Sequence, residues 1–114
     1  MQRALYMAYV TGVAGSSVLV FYIGDGVIVG VDFGTGKYDG TFTEANDGGI
    51  KGLLNFTIAP GRPMITGGVA PAQAMPPIPI AFDFPKDFDK GPVVTLQTPL
   101  GPVNVRFEKV RDLP

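Results

Sequence analysis

The chain has 114 residues, and 46% of them are hydrophobic, enough for one domain with a core that needs no covalent staples. It has no cysteine and no histidine, which excludes disulfides and thiolate metal sites and removes the commonest general base. Nine basic against ten acidic residues leave a net charge of −1, without the basic patch on which nucleic-acid binding depends. The expectation is therefore a protein with no catalytic residues, no cofactor or metal and no direct nucleic-acid contact.

The first ten residues run into a Gly/Ser loop with no cleavage-like site, so a cytoplasmic location is expected. Ala4 to Val10 reads as a first strand, with Tyr6 and Val10 on one face and Leu5, Met7 and Tyr9 on the other. Neither face is polar. Thr11 to Ser17 is a small-residue loop. Val18 to Phe33 is apolar enough to suggest a membrane span, but Gly24-Asp25-Gly26 interrupts it and leaves halves too short to cross, so two strands and no membrane contact are expected.

Three hairpins in succession occupy Val18 to Ile58. An Asp25-Gly26 turn pairs Tyr22 with Val29 and Val20 with Val31. A two-residue turn at Thr35-Gly36 would set Val31 opposite Gly40 and Val29 opposite Phe42. Asn46-Asp47-Gly48 fits a three-residue loop, a type I turn closed by a left-handed glycine, and pairs Phe42 with Gly52 and Tyr38 with Phe56. In this register Val20, Val29, Val31, Gly40 and Phe42 share the inner face. Leu19, Phe21, Ile23 and Ile28 then fall outside, beside Leu5 and Met7, as an apolar surface that predicts a homodimer.

The fifth strand alternates, with Ile50, Gly52, Leu54, Phe56 and Ile58 inward and Lys51, Asn55 and Thr57 outward. A Pro/Gly-rich loop spans 59–77 and carries five of the 11 prolines; Pro71 to Pro77 is placed to cover a barrel mouth. Ile78 to Phe84 presents Ile78, Ile80, Phe82 and Phe84 on one face, with Pro79 marking a sheet edge. Pro85 to Gly91 is a charged turn. A last hairpin around Pro99-Leu-Gly-Pro102 is expected to pair Leu96 with Val105 and Val94 with Phe107, leaving Asn104, Arg106 and Glu108 in water. No segment has helical periodicity. The predicted fold is all-β, one domain over 1–114, a small antiparallel up-and-down barrel of about eight strands.

The glycine-rich stretches 24–30 and 34–40 resemble nucleotide loops only superficially, because a strand follows where the phosphate-binding helix should begin. Asp32 and Asp39 are set opposite each other, an arrangement that either takes a cation or hydrogen-bonds the glycine turn beside it. Asp83, Asp87 and Asp89 with Gly91 lack the remaining calcium ligands. Ser16 and Ser17 have no histidine to activate them. If the interior accepts a small apolar ligand, the cavity residues expected are Tyr38, Gly40, Phe42, Gly52, Leu54, Phe56, Phe82, Leu96 and Phe107, the two glycines opening volume among the rings.

Gly30-Val-Asp32, Tyr38-Asp-Gly-Thr-Phe42 and the Asn46-Asp47-Gly48 turn resemble the GrlR-like family of small bacterial regulators, with an echo in Gly101-Pro-Val103 and Val105-Arg-Phe107. The resemblance implies a lipocalin-like barrel that dimerises and represses secretion genes by binding a transcriptional activator. It also implies a partner-binding loop at Glu44, Asn46 and Asp47, where the family's acidic run is reduced here to Glu44 and Asp47. Two functional readings follow: a regulatory, protein-interacting barrel, and a barrel that carries a small apolar ligand.

Overall fold

A computed structural model describes residues 2–13, 15–32, 36–58 and 76–114. Eight strands follow in order: β1 (Ala4–Gly12), β2 (Gly15–Gly24), β3 (Val27–Asp32), β4 (Lys37–Glu44), β5 (Ile50–Thr57), β6 (Ile78–Phe84), β7 (Lys90–Thr98) and β8 (Gly101–Asp112). All pairings are antiparallel and run β6-β5-β4-β3-β2-β1-β8-β7, a nearly closed barrel whose last seam lies between β6 and β7. Pro79 sits on β6, at that seam, where its missing N–H costs no ladder bond. Leu113 donates its backbone N–H to the Arg3 carbonyl, extending the β1–β8 closure to the termini. Most of 59–77, including Pro71 to Met75 of the expected cover, lies outside the described residues.

Two predicted turns hold as read. Asp25 and Gly26 both have positive φ (53° and 75°), the left-handed pair that lets a two-residue hairpin match strand twist, and Tyr22 pairs with Val29. Gly48 (φ 92°) closes the β4–β5 turn, where the Gly48 N–H donates to the Ala45 carbonyl; Phe42 accordingly faces Gly52 and Tyr38 faces Phe56. At the last hairpin the turn is the pair Pro99-Leu100, so Leu96 meets Val103 and Val94 meets Val105. That is two residues from the expected register and keeps every side chain on its expected face.

The β3–β4 connection differs, and its consequence is larger. Val31 pairs with Lys37 and Ile28 with Gly40, a shift of three residues from the expected register. An odd shift inverts the faces of everything upstream. Leu19, Phe21, Ile23 and Ile28 therefore lie in the core at 0–4% exposure, while Val20, Val29 and Val31 stand outside at 40–53%. The expected dimer interface is corrected on this point: four of its six residues are interior, and only Leu5 and Met7, half-buried, face outward. Size explains the choice. Both faces of β2 and β3 are apolar, and turning Leu, Phe and Ile inward buries more area than turning Val inward. Asp32 and Asp39 are likewise not opposed, since Asp39 pairs with Val29.

The core runs the length of the barrel and contains no buried polar or charged residue among the described ones. At the end carrying the β2–β3, β4–β5 and β6–β7 turns, Tyr6, Phe84, Phe88 and Phe107 fill the cross-section with ring centroids 5.1 to 6.3 Å apart. Phe88 comes from the charged turn between β6 and β7. Of its neighbours, Asp87 stays exposed 3.5 Å from Lys90, whereas Asp89 is half-buried 3.8 Å from Lys109.

Candidate functional site

Among the described residues, the opposite end of the barrel is open. Below its rim lies a cavity of about 230 Å³, walled mainly by Leu19, Leu54, Phe56, Leu96, Val103 and Phe107. Alternation on β5 and β8 delivers Leu54, Phe56, Val103 and Phe107, and the inverted face of β2 delivers Leu19 and Phe21. Tyr38, Leu54, Phe56, Leu96 and Phe107 line it as the sequence predicts, whereas Gly40, Phe42, Gly52 and Phe82 do not.

The glycines are a second correction, because they open no volume. A methyl group on Gly40 would lie 2.1 Å from the Leu53 carbonyl oxygen, and one on Gly52 would lie 2.0 Å from that of Thr41. These strands bend so closely that backbone, not space, occupies the missing side-chain positions. Phe42 and Phe82 are core residues nearer the closed end, and Phe82 packs against Phe84 at 4.9 Å.

One corner of the rim is polar. Asp32 ends β3, where its backbone N–H donates to the Gly36 carbonyl at 3.1 Å. Its Oδ1 accepts the Gly36 N–H at 2.7 Å and its Oδ2 accepts the Tyr38 hydroxyl at 3.0 Å. Of the two readings open for this aspartate, hydrogen bonding to the adjacent turn is the one observed. The Tyr38 ring stacks on Phe56 at 4.9 Å and meets the edge of Phe21 at 5.5 Å, so its hydroxyl is held against the carboxylate by packing on both sides. Burial, reinforced by the Asp32 charge and the hydrogen bond to it, holds the Tyr38 phenol well above the ordinary value of 10.0. A neutral phenol, never a phenolate, thus faces the cavity of the folded chain at ordinary pH. Ser16, Ser17 and Thr98 complete the polar part of the lining.

Glu44, Asn46 and Asp47 are exposed at the other end of the barrel, on the β4–β5 turn. Asp47 Oδ1 accepts the Gly49 N–H at 2.9 Å, so this side chain shapes its own turn. No group of three or more acidic, histidine or cysteine residues that would hold a metal occurs among the described residues. The sequence reading missed Leu19, Phe21 and Ile28 as cavity residues, and only the β3–β4 register could have assigned them. It also left Asp32 without its partner Tyr38, six residues away and joined only when the glycine turn closes.

The raised Tyr38 pKa predicts a sign for alkaline stability. The folded state keeps a proton that the unfolded chain loses near pH 10, so stability is full below that pH and falls as pH rises, by up to about 1.4 kcal/mol per unit from this group. Burial raises Tyr6 in the same direction. Urea unfolding between pH 8 and pH 11.5 should show a decline that Tyr38→Phe makes shallower without abolishing it; an unchanged slope would mean that Tyr38 ionises freely. No family model, no curated protein and no solved structure matches this chain.

Proposed function

We propose that this protein is a non-enzymatic binding barrel that takes a small apolar molecule into its interior. The cavity carries this reading. Packed interiors leave few voids larger than a water molecule, whereas about 230 Å³ stays open here behind a wall of aliphatic and aromatic side chains. An engineered apolar cavity of about 150 Å³ binds benzene; in proportion, this one holds roughly nine non-hydrogen atoms. A long-chain fatty acid would have to project from the mouth. We take the cytoplasm as its location, although a chain without cysteine is indifferent to the redox state of its compartment.

Toluene and indole serve as probes. Each should shift the methyl resonances of Leu54 and Leu96 at submillimolar concentration, and Val103→Phe, which adds a ring to the wall, should weaken binding at least tenfold. Absence of any shift at millimolar probe would remove the carrier reading.

A second reading is favoured by the outer surface. Val20, Val29 and Val31, with the half-buried Leu5, Met7 and Tyr22, form an apolar sheet face on β1 to β3. Met7 pairs with Val20, which pairs with Val31, so the patch is continuous across three strands. A regulatory barrel that dimerises and binds a transcriptional activator, as the GrlR-like resemblance implies, would use such a face. Light scattering at tens of micromolar should then give a dimer that Val31→Asp converts to monomer; a monomeric parent protein would dispose of this reading.

A further inference from the structure

Asp32 is the one formally charged side chain among the described residues that line the cavity, and no lysine or arginine joins it there. Each of its oxygens accepts one hydrogen bond from a described residue, the Gly36 N–H on Oδ1 and the Tyr38 hydroxyl on Oδ2, and a carboxylate oxygen can accept a second. Beneath this corner the wall is hydrocarbon. A guest that fills the wall therefore brings its polar end to an acceptor and a negative charge, half-buried and with no basic residue among the described lining.

We infer that the guest is a small single-headed amphiphile whose polar end donates hydrogen bonds, a primary alcohol or alkylammonium, seated on Asp32 with its hydrocarbon body against Leu54, Phe56, Leu96 and Phe107. This rests on the carrier reading and narrows it. A carboxylate head has no proton to give and meets like charge where water is partly excluded, so fatty acids are rejected by the corner that accepts the alcohol. The Tyr38 hydroxyl is committed to Asp32 and gives a carboxylate no free donor.

The test compares 1-octanol, octylammonium and octanoate, equal in chain length, each titrated below micelle-forming concentrations while the Leu54 and Leu96 methyl resonances are followed. Octanol and octylammonium should bind at least tenfold more tightly than octanoate, and added salt should weaken octylammonium alone. Asp32→Asn should reduce the octylammonium preference about tenfold while octanol keeps its affinity. Should that variant fail to fold, Tyr38→Phe keeps the carboxylate, frees one of its oxygens and should leave the preference for octylammonium intact or larger. Octanoate binding as tightly as the other two, with methyl shifts in the cavity, would overturn the inference and leave the carrier reading standing. No cavity shift with any of the three would overturn both.

Discussion

The register between β3 and β4 is the constraint on which the rest of the barrel depends. Asp32 sets it with a backbone pair to Gly36 and a carboxylate that takes the Gly36 N–H, and Tyr38 adds its hydroxyl to the same carboxylate. Gly36 has to be glycine for this to close, since a methyl group there would meet Asp32 Oδ2 at 2.4 Å and the Phe56 ring at 2.8 Å. Because side chains alternate along a strand, this one turn decides which face of β2 and β3 is interior. It turns Phe21, which the β2–β3 hairpin lays over the bare backbone of Gly30, inward against Tyr38, and it leaves the valines outside.

The same turn makes the site. One end of the barrel is plugged by Tyr6, Phe84, Phe88 and Phe107, where packed rings leave no room. Towards the other end the inward residues are mostly Leu, Val, Ile and Phe, and they leave part of the space that eight strands enclose unfilled. The cavity is what remains. Asp32 and Tyr38, fixed at its rim by a structural requirement of the hairpin, give a mainly apolar space its one charged corner among the described residues.

Much of this was legible. Ile50 to Ile58 alternates so cleanly that its inner face, its pairing with β4 and the glycine turn between them follow from the residues alone. Asp25-Gly26 is equally plain, because two left-handed residues in succession need that kind of pair. The faces of β2 and β3 were not legible, since Val18, Val20 and Tyr22 alternate with Leu19, Phe21 and Ile23 and neither set is polar. Their assignment had to be carried through a turn whose length was ambiguous among Gly34, Thr35 and Gly36. Phe88 was hidden by its setting between Asp87 and Asp89, which reads as solvent although the ring is the plug. Gly40 and Gly52 looked like vacant volume, because a sequence shows a missing side chain but not the carbonyl that has moved into its place.

Paired alanine substitutions on β2 test the interior assignment most directly. Phe21 and Val20 are adjacent and point to opposite sides of the sheet, one buried and one exposed. By urea unfolding at neutral pH, Phe21→Ala should cost about 3–5 kcal/mol and Val20→Ala less than about 1 kcal/mol. The reverse order would place Val20 inside, return Phe21 to the surface and contradict both the register and the cavity built on it.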